Sequence, residues 1–174
     1  EMTPTTSGDR ETGSPGASSG PRIVSGLFAL ALVVATGVIA LTAEQLPAQV
    51  ASHFNAAGRP DAFMDRSRYL LLMFASSVGV PLLAALAVRA VLRHPEVSLN
   101  LPHAPYWSTP ERRPRTVAWL NAHFDCFAAL LTVFFVYVHH VVVFAHRASP
   151  PRMSTAAFLT GMVLGAWLGW RRGW

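Results

Sequence analysis

Residues 118–146 read AWLNAHFDCFAALLTVFFVYVHHVVVFAH, the run from which the architecture follows. No formal charge occurs from Cys126 to Ala145. A helix of that length, rising ~1.5 Å per residue, crosses a hydrocarbon layer about 30 Å thick. Pro114 breaks the chain ahead of it and Trp119 offers an aromatic anchor at headgroup level, so the helix is expected to begin near Thr116. Along it Asp125, Thr132, His139 and His146 recur every seven residues, with Asn121 one turn before Asp125. All five fall on one slowly drifting face. Lipid does not solvate such a face, so it should point at other helices or at a water-filled cavity. One reading is a proton or ion path. The other leaves Asp125 and His146 wet at the two interfaces and gives His139 a single interhelical hydrogen bond.

Outward from this run lie three more apolar stretches, at 23–43, 69–92 and 153–170. The second contains Ser76, Ser77, Gly79 and Pro81, and Pro81 predicts a kink at mid-membrane. Arg89 lies near its end, where a long side chain reaches the headgroups. In the last stretch Ala157, Gly161, Gly165 and Gly169 recur every four residues. Small residues at that spacing let backbones approach in lipid, which predicts a packing seam inside the bundle or an interface with another chain. The fold class expected is all-α: an integral membrane four-helix bundle over residues 22–174, with its third span at about 118–146. Residues 1–21, rich in Gly, Ser, Thr and Pro, are expected to form a flexible tail. A signal peptide would need a shorter apolar core than 23–43, which fits a retained span.

Composition agrees with this. Of 174 residues 52% are apolar and 13% charged, against roughly 25% charged in a soluble domain. All 14 basic residues are Arg. In a four-span chain nine of them share one side and five the other, so the positive-inside rule places both termini in the cytoplasm. That basicity reports topology, and no nucleic-acid partner is expected; the partners are the bilayer and a protein, or a second copy, met through the last helix. Cys126 is alone, which excludes an intrachain disulfide and any cysteine-cluster metal site. His53, His139, His140 and His146 map to the outer side, but no His-x-x-x-His or Glu-x-x-His ligand pair occurs. No metal or other cofactor is expected.

Two connecting loops are more patterned than linkers need to be. In the first, 46–68, His53, Phe54 and Asn55 precede Gly58, Pro60 and Asp61. Asn and Gly tolerate left-handed backbone and Pro fixes its own φ, so a specified turn is expected, packed on the outer end of the third helix. Here His53, Asn55, Gly58 and Asp61 are the binding candidates. The second loop, LNLPHAPYWSTPERR at 99–113, places Tyr106 and Trp107 ahead of Glu111 and Arg112. It reads as an ordered cytoplasmic loop with interfacial aromatics and with arginines facing anionic lipid or a partner.

These loops carry a resemblance. Leu46, Pro47, His53, Phe54, Asn55, Gly58, Pro60 and Asp61 resemble the signature of the bacterial domain-of-unknown-function family 1648, the module found in SdpI-type membrane immunity proteins. Leu101, Pro102, Tyr106, Trp107, Pro110, Glu111 and Arg112 look like a second motif of that family, and the resemblance takes in most of 25–146. It implies a bacterial inner-membrane protein. Its SdpI-type relatives protect a producing cell from a secreted peptide toxin and can hold a repressor at the membrane. It supplies no catalytic residue. Three functions stay open: a non-enzymatic binding, regulatory or immunity-like module, an accessory subunit of a larger complex, or a transporter or metal-dependent membrane enzyme using Asp125, His139 and His53.

Overall fold

The computed structural model describes residues 20–149 and 151–172. Most of the expected tail lies outside the described residues, but Gly20 and Pro21 are already helical. Helix α1 spans Gly20–Thr42, and Pro21 fits its first turn, where a missing N–H breaks no hydrogen bond. A 3-10 turn at Ala43–Gln45 ends it.

The next segment corrects the all-α expectation. Strands β1, Gln49–Phe54, and β2, Pro60–Asp65, pair as an antiparallel hairpin. From Gln49 opposite Asp65 to Ala51 opposite Phe63 the register is regular, after which Ser52 and Asp61 are each left without an opposite residue. Such bulges twist a strand and re-aim its side chains. They also hide the alternation by which a strand is read from sequence.

Helix α2, Arg66–Phe74, runs through a π turn at Ala75–Gly79 into helix α3, Val80–Arg93. The π turn has a local cause. Pro81 has no N–H, and its ring would collide with the carbonyl four residues back. One wider turn relieves this: the Val80 N–H bonds the Ala75 carbonyl and Ser77 Oγ donates to the Met73 carbonyl at 2.5 Å. The expected kink is therefore a π bulge one turn ahead of the proline.

A short helix α4, Ala104–Trp107, interrupts the next connection, followed by α5, Arg113–Ala145, and α6, Thr155–Arg172. Among the described residues three helical stretches are long and apolar enough to cross a membrane: Gly20–Gln45, Arg66–Arg93 and Arg113–Ala145. This departs from the four spans expected. Threonines, glycines and a terminal arginine pair dilute the 18 residues of α6, which is not one of the three.

Helix α5 is the spine, packed along α1 and against α3. Ala35, Ala85 and Ala128 are buried, and small side chains there let the helices close around Phe28. A larger cluster sits at the hairpin end, where Ile39, Leu46, Val50, Tyr69, Met73, Val142 and Val143 bury one another. Outward faces carry Leu30, Val33, Leu83, Phe127 and Val133, all more than half exposed. Surfaces so apolar suit lipid rather than water.

Candidate functional site

The hairpin is held to the helices at two points. His146, just past α5, donates from Nδ1 to the Val142 carbonyl at 2.8 Å, which leaves Nε2 to accept the Ala51 N–H at 3.1 Å. That bond occupies the outer edge of β1. At the tip, Asn55 Oδ1 accepts from the backbone N–H of Ala57 and Arg59, an Asx turn that needs Gly58 at φ 70°. The Gly58 carbonyl accepts the Met153 N–H at 3.0 Å, and the Met153 carbonyl lies where a Cβ on Gly58 would stand. Only glycine fits there, on conformation and on space.

What the hairpin presents outward follows from its two bulges. His53 Nδ1 and Asp61 Oδ1 meet at 2.5 Å, both exposed. Phe63, two residues on from Asp61 in β2, is 53% exposed. The outer edge of β2 carries no strand among the described residues, while its base is pinned by Gln49 donating to Asp65 and by Arg66 donating to the Leu46 carbonyl. The result is a braced strand with no strand on its outer edge among the described residues, an exposed aromatic and an exposed imidazole–carboxylate pair.

Beneath it, the polar face of α5 points inward and is tied to its neighbours in two places. Near the far end, Arg89 Nη2 donates to Asp125 Oδ1 and Oδ2 at 2.6 and 2.5 Å. Ser25 Oγ donates to Oδ2 at 2.5 Å, and the carboxylate is 1% exposed. Near the hairpin end, Thr42 gives its one hydroxyl proton to the Val38 carbonyl. The His139 Nε2–H therefore donates to Thr42 Oγ1 at 2.7 Å, and Nδ1 accepts from the Tyr69 hydroxyl at 3.2 Å. Between the ties Thr132 is fully buried with no partner for its hydroxyl among the described residues, and one turn before Asp125 the Asn121 Oδ1 is likewise unpartnered among them.

Sequence reasoning singled out Asp125 and His139 but missed who meets them. Arg89 was expected to reach the headgroups; it turns to Asp125. Ser25, Thr42 and Tyr69 carry the other contacts. The signal was present: one acid and one arginine, each inside an otherwise apolar helix, have strong reason to pair. The histidines are not brought together. His53 belongs to the hairpin, His139 and His146 are engaged as described, His140 is exposed, and among the described residues no three potential metal ligands converge.

At the opposite end, His103 takes a left-handed conformation, φ 58°, to start α4. Arg112 stacks over the Tyr106 ring at 3.9 Å, and Trp107 packs edge-on to Tyr106. Arg113 donates to the Val97 and His94 carbonyls and Thr116 to that of Trp107, closing the loop onto α5. Glu111 is exposed and pairs with no cation among the described residues. In α6, Gly161 lies against the Tyr137 ring, whereas Gly165 faces open space; the surroundings of Ala157 and Gly169 lie outside the described residues.

These features define a mostly helical chain with three stretches, among the described residues, long and apolar enough to cross a membrane, and a braced hairpin at one end. Residues 30–76 match the profile of the family described as Domain of unknown function (DUF1648), a stretch that runs from the middle of α1 through the hairpin to the π turn. The match holds the first sequence motif and stops short of the second, at 101–112. No curated protein and no solved structure matches the chain.

Proposed function

We propose that this protein is a non-enzymatic binding module of the bacterial inner membrane, with the hairpin as its recognition surface. The observation that supports the reading most is the unequal treatment of the two strand edges. Nε2 of His146 occupies the edge of β1, while β2 is left open beside Phe63 and the His53–Asp61 pair. An open edge on a braced strand suits main-chain pairing with an extended polypeptide, and Phe63 supplies an apolar anchor. Counted with α6 as a fourth span, nine of the 14 arginines share the far end and five the hairpin end, which favours the far end in the cytoplasm and puts the hairpin outside. A regulatory or immunity-like role is of this kind.

The test is a photo-crosslinking residue in place of Phe63, activated in native membranes, with the same residue at Val133 on the outward face of α5 as control. A defined polypeptide adduct is expected at position 63 and only lipid at 133. Lipid alone at both positions would defeat the reading. A second reading, an accessory subunit with α6 as a fourth span against a partner, is favoured by Gly165, whose bare backbone faces nothing within 4 Å among the described residues.

A further inference from the structure

We propose that the arginine-rich end holds a specific site for one anionic phospholipid, between α4 and the first turns of α5. The observation is a cavity of about 510 Å³ lined by Leu101, Tyr106, Trp107, Arg112, Arg115 and Trp119, together with Thr116, whose hydroxyl is engaged by the Trp107 and Arg112 carbonyls, within the roughly 300–1,000 Å³ of small-molecule pockets. Its lining is of two kinds. Leu101 and the three aromatic rings are apolar, whereas the two guanidiniums bring two positive charges. Arg112 is already oriented, because its flat face lies on Tyr106. Stacking leaves the N–H groups along its rim free to grip a phosphate through two parallel hydrogen bonds. Arg115 forms no ion pair or hydrogen bond with any described residue.

The cavity's surroundings say which anion fits. Trp119 is half exposed and sits where α5 enters its apolar stretch, and Phe127, two turns on along the same face, is 64% exposed. A ligand with its phosphate at Arg112 and Arg115 therefore has an aromatic wall beside its glycerol and a lipid-facing helix along its acyl chains. A free phosphate would use the arginines and leave the aromatic wall uncovered. A zwitterionic lipid would bring its own cation toward two arginines. An anionic phospholipid satisfies both halves, as basic pockets on the cytoplasmic side of membrane helices do.

The site lies at the end opposite the hairpin and does not rest on the reading proposed for it. The experiment is native mass spectrometry of the purified full chain, titrated with phosphatidylglycerol, with phosphatidylcholine of the same acyl chains, and with inorganic phosphate. One phosphatidylglycerol should stay bound where phosphatidylcholine is stripped away. Arg115→Gln should weaken its retention about fivefold, the effect of roughly 1 kcal/mol per arginine near a membrane surface. Because Arg115 is exposed and makes no ion pair or hydrogen bond with any described residue, that variant separates lost binding from lost structure; Arg112→Gln with Arg115→Gln should abolish the preference. Equal retention of the two lipids, indifference to Arg115→Gln, or displacement of the lipid by inorganic phosphate would each overturn the proposal.

Discussion

Asp125 is the residue on which the helices depend most. Its carboxylate is buried and takes three hydrogen bonds from two other helices. Removing one partner of a buried ion pair leaves the other charge uncompensated, at about 3–5 kcal/mol. Asp125→Ala should therefore lower unfolding stability in detergent strongly, while Asp125→Leu combined with Arg89→Met should recover most of the loss. Equal loss in both would mean that packing, not the unpaired Arg89, sets the cost. At this scale the sequence was legible by half. Spacing showed that Asp125, Thr132 and His139 face inward, because period and hydropathy are properties of one helix. It did not show that Arg89 meets Asp125, since an arginine near a span end can turn to headgroups or to a carboxylate, and only the height of the neighbouring helix selects between them. Thr132, which spacing also placed on the inward face, is buried there with no partner for its hydroxyl among the described residues.

Among the elements, the hairpin departs furthest from the sequence reading. The residues of its turn were legible, because Asn55 and Gly58 announce a left-handed turn chemically. Its strands were not. Val50 and Ala51 are adjacent and both fully buried, one in the apolar cluster and one with its N–H engaged by His146, so no alternation survives. Bracing by His146 has a measurable consequence. His146→Ala should speed amide hydrogen exchange at Ala51 roughly fivefold, as expected for a hydrogen bond worth about 1 kcal/mol. Amides in the middle of α5 should not change. If exchange at Ala51 stayed slow, the apolar cluster around Val50 alone would be holding the hairpin.

For the whole molecule, the order of spans was readable from hydropathy, but the standing of α6 was not. Four small residues at spacing four mark a face without saying what covers it. The structure divides that face. Gly161 is pressed on Tyr137, and Gly165 is open. Gly161→Leu should therefore push α6 away from α5 and lower stability, whereas Gly165→Leu should leave the single chain intact and alter only its association. Thermal unfolding read beside native mass spectrometry separates the two; loss of folding in both variants would place Gly165 in a seam of the single chain. The two polar ties also bear on how such a chain is made. Synthesis runs from α1 through the broken helix to α5, so Ser25, Thr42, Tyr69 and Arg89 have all emerged before Asp125 and His139. The helix with the most polar groups to shelter is born last of the three, into company that can receive it, and Arg89 alone must wait 36 residues for its counter-charge.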